Sequence, residues 1–344
     1  MTAPESSHRP KLWIVRLQTF LERFIPSSLL ASVIPFALPL TVAGIIIARS
    51  EGVKLLTRGV VFALVWLAIA PWLVTGAHRT VARFFDDNRD KFVMTDEPFH
   101  ALKARMMREL ESPKYLVVSI PFTLLCVWVL LSSIYATSPP LVRVWAAVTF
   151  SVLFMVAGVG FWGILRFNYI FGEVCKQELK FDPYHADGFG GLAFLGQFNV
   201  KGPQYFFSGA LIFPIVFEIV TSLPKDEIVS LGLWGAVAVF VAFGITGFFV
   251  PQMKIKDIIA RSKDENLSQS ESVLQTLLGD LFLETCCDKD RAKIAETRID
   301  VYYEYFHKRI AAVKEWPFDW KIVLQILSSL AVPLLVALAE YFLP

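Results

Sequence analysis

The sequence Asp182-Pro-Tyr-His-Ala-Asp-Gly-Phe-Gly-Gly-Leu192 interrupts a series of long apolar runs with two acids, a histidine and three glycines. We call residues 182–192 the motif turn. Glycine adopts backbone angles that other residues avoid, and acidic and imidazole side chains can hold an ion or cap a turn. The motif turn is therefore the first candidate site, and the apolar runs on either side of it decide the fold.

These apolar runs dominate the composition. The chain has 344 residues, of which 55% are hydrophobic, and its mean hydropathy is +0.54. Runs of about twenty apolar residues can cross the hydrocarbon layer as helices. The seven candidate spans are residues 25–48, 59–77, 115–135, 141–165, 205–223, 228–250 and 320–342. The sequence predicts an all-α, polytopic transmembrane helical bundle of about seven spans, surrounded by the lipid bilayer.

Basic residues indicate the orientation of these spans. Of the 33 lysines and arginines, 28 fall in the first, third, fifth and seventh segments between spans, and 5 fall in the others. The positive-inside rule therefore places the N-terminus in the cytoplasm and the C-terminus outside. The net charge is only +2, which gives no reason to expect a nucleic-acid partner.

This topology divides the chain into six segments. In chain order they are an interfacial amphipathic helix (1–24), spans 1 and 2 (25–77), a cytoplasmic helical loop (78–114), spans 3 to 6 with the motif turn (115–250), a cytoplasmic helical hairpin (251–319) and span 7 (320–344).

Two patterns define helices between the spans. Leu102, Met106 and Leu110 repeat every four residues after Thr95, which predicts a short helix with Thr95 as its N-cap. The fourth span is predicted to continue as a helix to about Lys180, because little in the sequence breaks it.

Two further patterns concern the sixth span and the hairpin. Ser268 and Glu271 fit a capping box, which predicts that a hairpin helix begins there. The sixth span is rich in glycine and alanine, which let helices approach closely in lipid, so it is predicted to be the most enclosed helix.

The acids and the histidine of the motif turn could hold a metal or another cation. Asp182, His185 and Asp187 supply oxygen donors and one imidazole at spacings that a turn can bring together. Three ligands do not identify the metal, which stays unknown. Two glycine-rich matches, at residues 158–163 and 188–193, lack the preceding strand of a dinucleotide site, so no cofactor is predicted. The first match is expected to serve close helix packing.

The glycines of the motif turn support two other interpretations. The backbone N–H groups of Gly188, Gly190 and Gly191 could bind an anion at a helix start. Alternatively the turn is structural, with Asp187 capping a helix that begins near Gly190 and His185 bonding a backbone carbonyl.

Acidic residues near the outer ends of the spans form a second candidate site. They are Glu218, Asp226, Glu227 and Glu340. If they line one vestibule, they would concentrate cations at an outer mouth. Alternatively, these carboxylates only reach interfacial water.

Two short sequences carry a resemblance. His185-Ala-Asp-Gly-Phe-Gly-Gly-Leu192 and Trp316-Pro-Phe-Asp319 before the last span resemble a pattern of uncharacterised prokaryotic multi-pass inner-membrane proteins. In those proteins proline more often follows the histidine, whereas this chain has Ala186. The resemblance implies a prokaryotic inner membrane and no particular activity.

Three classes of function fit these features. The first is an oligomeric channel or transporter-like protein for a small ion, with the hairpin as its gate and a homo-oligomer as its assembly. The second is a membrane sensor or signalling component whose cytoplasmic helices bind a protein partner. A lipid-modifying enzyme is the weakest, because His185 with Asp182 or Asp187 is the only acid–base pairing and no nucleophile accompanies it.

Overall fold

The computed structural model describes residues 12–132, 134–222, 227–285 and 289–316, together with positions 324 and 328. The helices in this range are α1 (Trp13–Leu21), α2 (Ser28–Glu51), α3 (Arg58–Asp87), α4 (Asp96–Leu110), α5 (Tyr115–Ser132), α6 (Pro140–Val174), α7 (Ala193–Phe207), α8 (Phe213–Ser222), α9 (Glu227–Thr285), α10 (Lys289–Tyr302) and α11 (Lys308–Ala311). The described residues contain no extended strand, only an isolated antiparallel bridge between Phe92 and Leu179. The all-α class is therefore confirmed.

Within the part of the chain that the structure describes, four segments are long and apolar enough to cross a membrane. They are Ser28–Glu51, Arg58–Asp87, Asp96–Ser132 and Pro140–Val174. They confirm a helical bundle of membrane type. The predicted span 7 lies outside the described residues apart from positions 324 and 328, and so do residues 1–11 of the predicted N-terminal helix.

Capping residues set the ends of the first apolar helices. Ser27 Oγ accepts a hydrogen bond from Leu30 N at 3.4 Å where α2 begins, and Gly52 ends that helix with a φ of 64°. Thr57 Oγ1 accepts from Val60 N at 3.3 Å at the start of α3. These contacts satisfy backbone groups that have no partner within their own helix.

The predicted short helix after Thr95 is α4, and Thr95 takes its N-cap position, but its side chain makes no capping hydrogen bond. Leu102 and Met106 are buried, in the same apolar cluster as residues of α3 and α6. The repeat of four therefore packs α4 against the ends of two long helices.

The close packing predicted for residues 158–163 is confirmed at one glycine. A Cβ added to Gly158 would lie 2.6 Å from the Cα of Ser119, so α5 and α6 can approach this closely only at a glycine. Cβ atoms added to Gly160 and Gly163 would meet nothing within 4 Å. The predicted close packing is therefore not found at these two glycines.

The prediction that the fourth helix continues to Lys180 is wrong, because α6 ends at Val174. The chain beyond it pairs with the segment before α4. Val93 N donates to Glu178 O at 3.0 Å, and Lys180 N donates to Lys91 O at 2.9 Å. Because Glu178 and Lys180 form backbone hydrogen bonds with residues 91–93, this segment does not continue the helix.

The capping box at Ser268 and Glu271 is also wrong, because both residues lie inside α9. This helix continues from the sixth predicted span through Pro251 into the predicted hairpin. A cap is needed only where N–H groups lack carbonyl partners, and here the preceding turn of helix supplies those carbonyls.

The fifth predicted span is broken rather than continuous. Helix α7 ends at Phe207, a 3-10 helix covers Ser208–Ile212, and α8 begins at Phe213. Pro214 has no N–H, so the carbonyl of Ala210 loses its usual donor and the α-helix is interrupted there.

Among the side chains that the structure describes, a larger share is exposed in the sixth predicted span than in α6, so this span is not the most enclosed helix. In the membrane half of α9, Gly244 and Gly247 are buried, but Gly235, Ala238 and Ala242 are exposed. A single chain therefore covers only one face of this helix.

Candidate functional site

Both ends of the motif turn are fixed by the backbone. The bridge between Phe92 and Leu179 lies just before it, and α7 begins at Ala193 just after it. Within the turn, Asp182 N donates to Gly190 O at 2.9 Å and closes the segment into a loop. The motif turn therefore has a defined shape between α6 and α7.

Asp187 is the centre of this loop. Its carboxylate accepts hydrogen bonds from Phe189 N at 2.8 Å, Gly191 N at 3.0 Å and Ala193 N at 3.1 Å. Partial burial alone would raise the pKa of Asp187, but these bonds and the contact with His185 outweigh it and hold the pKa below the ordinary value of 3.8. Asp187 therefore caps the start of α7, which lies at Ala193 rather than near Gly190.

His185 contacts the carboxylate of Asp187 instead of the predicted backbone carbonyl. Its Nδ1 lies 3.2 Å from Asp187 Oδ1 and 3.4 Å from Asp187 N. One nitrogen cannot donate to the first and accept from the second in the same tautomer. The shorter contact, to an ionised acceptor, favours Nδ1–H as the donor.

The three glycines of the loop all have left-handed backbone angles. The φ values are 70° at Gly188, 66° at Gly190 and 81° at Gly191. Such angles cost other residues free energy. A Cβ on Gly190 would also collide with the ring of Phe181, whereas a Cβ on Gly188 would meet nothing within 4 Å. Gly190 is therefore the most constrained of the three.

The predicted anion position in the loop is occupied by the chain itself. Of the three N–H groups predicted to bind an anion, that of Gly191 donates to the carboxylate of Asp187 at 3.0 Å, and that of Gly188 donates to His185 O at 3.3 Å. An external anion would have to displace the side chain of Asp187.

The structure does not bring the three predicted cation ligands together. Asp182 Oδ1 accepts from Tyr184 N at 3.0 Å, while Asp187 faces the start of α7. Among the described residues, no group of three or more histidine, cysteine or acidic side chains is arranged to hold a metal. His185 and Asp187 form a pair without Asp182.

The end of the hairpin contacts the motif turn. By the hairpin we mean residues 251–285 of α9 together with α10, α11 and the π-helical turn between them. Lys314 N, just after α11, donates to Gly188 O at 2.9 Å. The rings of Tyr184 and Phe306 lie edge to face, with centroids 5.7 Å apart. Val313 is buried in the apolar cluster that includes the start of α7. The motif turn therefore receives the returning end of the hairpin.

A polar contact joins α7 to α9 at the membrane end of the hairpin. Asn199 Nδ2 donates to Phe248 O at 3.0 Å. Pro251 has no N–H, so the carbonyl of Gly247 lacks its usual donor in α9. Gln252 is fully buried, and neither of its amide atoms meets a hydrogen-bond partner among the described residues. No sequence pattern indicated the contact between Asn199 and Phe248, although Pro251 beside Gln252 at the end of an apolar run indicated a local change in the helix.

Of the outer acids, Glu218 has a clear structural contact. Its Oε2 accepts from Thr57 Oγ1 at 2.8 Å and from Gly59 N at 3.1 Å, which joins α8 to the start of α3. Glu227 is the first residue of α9. Asp226 and Glu340 lie outside the described residues, and the vestibule stays a prediction.

In the described part of the chain, these features define a class of protein: a helical bundle with four segments long and apolar enough to cross a membrane, and a helical hairpin packed on a glycine-rich turn. No protein-family model, curated protein or solved structure matches the chain. The functional conclusion therefore depends on the geometry of the chain itself.

Proposed function

We propose that the chain lies in a prokaryotic inner membrane with seven spans, a cytoplasmic N-terminus and an external C-terminus. The distribution of basic residues supports this topology, and the four apolar segments of the described chain support a location in a membrane. The motif turn and the hairpin would then both lie in the cytoplasm. A cysteine introduced at the exposed Ser268 should react with a membrane-impermeant reagent only after cells are permeabilised. Labelling of intact cells, with the wild-type chain as control, would overturn the topology.

We propose further that the protein is a membrane sensor or signalling component, in which the hairpin communicates with the bundle. The observation that carries this proposal is α9, a single helix of 59 residues. At 1.5 Å per residue it is about 90 Å long, roughly three times the thickness of the hydrocarbon layer. One helix therefore belongs to both the membrane bundle and the hairpin.

The contacts around the motif turn close this connection into a ring. Helix α9 leads to the end of the hairpin, where Lys314 bonds Gly188 of the motif turn. The motif turn leads into α7, and Asn199 of α7 bonds Phe248 of α9. A displacement of the hairpin therefore strains the motif turn and the contact between α7 and α9.

The far end of the hairpin exposes large apolar side chains. Leu278 is 52% exposed, Phe282 76% and Leu283 68%. Outside membrane spans, a cluster of such side chains is typical of a protein-binding surface. This surface supports a protein partner or a second copy of the chain as the input to the hairpin.

A second candidate function is an oligomeric channel or transporter-like protein for a small ion. The exposed residues Gly235, Ala238 and Ala242 follow one face of the membrane half of α9 at spacings of three and four. Small residues at such spacings allow close helix association in lipid. This face favours a homo-oligomer, and a pore would then lie between subunits.

Ion flux in liposomes distinguishes the two candidates when it is combined with a change at Lys314. Lys314→Pro removes the N–H that bonds Gly188, and Lys314→Ala keeps it. A signalling component should give no flux in any of these forms, while Phe282→Ser should change the assembly state measured by analytical ultracentrifugation. Flux that changes only with Lys314→Pro would support a gated channel. Equal flux in all forms, with no effect of Phe282→Ser on assembly, would contradict the proposed communication.

A further inference from the structure

Helices α6 and α9 lie side by side where the fourth and sixth predicted spans end. A Cβ added to Gly247 of α9 would lie 3.4 Å from the side chain of Ile164, and one added to Gly172 of α6 would lie 3.1 Å from Lys254 Nζ. Residue numbers rise together along this contact, so the two helices are parallel. The predicted spans end at residues 165 and 250, between the two contacts. Lys254 therefore lies against α6 at the level where both helices leave the hydrocarbon layer.

Two further cations lie at this end of α6. Lys176, just after the helix, donates to Glu173 Oε1 at 2.6 Å. Arg105 of α4 donates to the other oxygen of the same carboxylate and to the hydroxyl of Tyr169, the latter at 3.1 Å. Like Lys254, both cations are exposed. We call Arg105, Glu173, Lys176 and Lys254 the charged rim.

The charges of the rim do not cancel. Glu173 forms ion pairs with both Arg105 and Lys176. Lys254 forms no ion pair with any residue in the described part of the chain. Three positive charges therefore share one negative charge, which leaves the charged rim with a net charge of +2.

The neighbouring charges do not offset this excess. Arg166 of α6 forms an ion pair with Glu109 of α4 at 3.2 Å. Lys256 and Asp257, which follow in α9, carry opposite charges. These four residues together add no net charge, so the rim keeps its positive excess.

Exposed apolar side chains lie on the membrane side of the charged rim. Leu165, two helical turns before Gly172, is 44% exposed, and Val250, one turn before Lys254, is 45% exposed. Residues at these spacings lie on the same face of a helix. The surface therefore has an apolar part at the depth of lipid chains and a cationic part at the depth of lipid headgroups.

We propose that this open surface of α4, α6 and α9 binds an anionic phospholipid. The phosphate lies against Arg105, Lys176 and Lys254, and an acyl chain lies along Leu165 and Val250. Guanidinium and ammonium groups form strong hydrogen bonds with phosphate, and the net positive charge favours an anionic lipid over a zwitterionic one. The inference rests on the membrane location proposed above and not on the orientation of the chain.

Native mass spectrometry of the detergent-purified full chain tests this proposal. The probes are phosphatidylglycerol, phosphatidylcholine with the same acyl chains, and water-soluble glycerol 3-phosphate. Phosphatidylglycerol should bind about tenfold more tightly than phosphatidylcholine, which corresponds to about 1.4 kcal/mol. Glycerol 3-phosphate should bind most weakly, because it has no acyl chain. Equal binding of the two lipids, or glycerol 3-phosphate binding as tightly as phosphatidylglycerol, would overturn the proposal.

Removal of one lysine locates the site. Lys254→Gln removes a cation without breaking an ion pair, and it should reduce the preference for phosphatidylglycerol about fivefold. The matched control is Lys293→Gln, which removes the same charge from an exposed lysine of α10, beyond the far end of α9. This control should keep the wild-type preference. An unchanged preference in Lys254→Gln, or an equal loss in Lys293→Gln, would overturn the proposal.

Removal of the acid should have the opposite effect. Glu173→Gln raises the net charge of the rim, so the preference for phosphatidylglycerol should rise above that of the wild type, and a fall would count against the site. If this variant does not assemble, the comparison of Lys254→Gln with Lys293→Gln decides. Reconstitution into nanodiscs tests the membrane location separately. A chain that reconstitutes but shows no lipid preference contradicts this inference and leaves the membrane location intact.

Discussion

Replacing Gly190 by alanine should destabilise the motif turn by about 2 to 5 kcal/mol. A residue other than glycine at positive φ costs about 1 to 2 kcal/mol, and Gly190 has a φ of 66°. The added Cβ also collides with the ring of Phe181, and overpacking of this kind typically costs about 1 to 3 kcal/mol more. The measurement is the fraction of the purified chain that stays monodisperse in size-exclusion chromatography after heating.

Gly188→Ala is the matched control for this change. The φ of Gly188 is 70°, nearly the same as that of Gly190. A Cβ added at Gly188 would meet nothing within 4 Å, so only the backbone cost of about 1 to 2 kcal/mol applies. The expected order of stability is wild type, then Gly188→Ala, then Gly190→Ala. Equal stability of the two variants would refute the contact with Phe181, and a Gly190→Ala protein as stable as the wild type would refute the whole argument.

Three further changes test separate contacts. Asp187→Asn should weaken the motif turn by about 1 to 3 kcal/mol and speed hydrogen exchange at Gly191; unchanged exchange would contradict the capping role. Because the folded pKa of Asp187 lies below 3.8, its stabilisation is present above the unfolded pKa and is lost as pH falls through the folded pKa. Exchange at Gly191, corrected for its intrinsic rate, should therefore rise below about pH 4 in the wild type and not in Asp187→Asn. Glu218→Gln should reduce stability by about 1 kcal/mol, because a carboxylate at the start of α3 is neutralised, and a thermal midpoint equal to that of the wild type would count against this contact. Gln252→Leu should increase stability by about 1 to 2 kcal/mol, because a buried amide is replaced by hydrocarbon; a decrease would show that this side chain has a partner.

The features that could be predicted depend on residues close to one another in the sequence. Apolar run length predicted the helical membrane class, because a buried backbone in lipid must satisfy its own hydrogen bonds. The cluster of glycines predicted unusual backbone angles in the motif turn, and all three have positive φ. The capping role, one of the alternatives for Asp187, is confirmed by its bond from Ala193 N, but the helix begins three residues later than predicted.

Contacts between distant segments could not be predicted in the same way. The bond from Lys314 to Gly188 and the bond from Asn199 to Phe248 join residues that no periodicity relates. The end of α6 was misplaced for the same reason, since its successor segment pairs with residues 91–93. The capping-box error at Ser268 has a different origin: a local signature has no effect inside a helix that has already formed.

Hydrogen exchange of the full chain in lipid nanodiscs tests the central proposal most directly, with Lys314→Pro compared to Lys314→Ala. Only the proline variant removes the backbone bond to Gly188. If the hairpin communicates with the bundle, exchange in the proline variant should increase in the motif turn, at the start of α7 and around Phe248 of α9. An increase confined to residues 308–314, with α7 and α9 unchanged, would contradict the account.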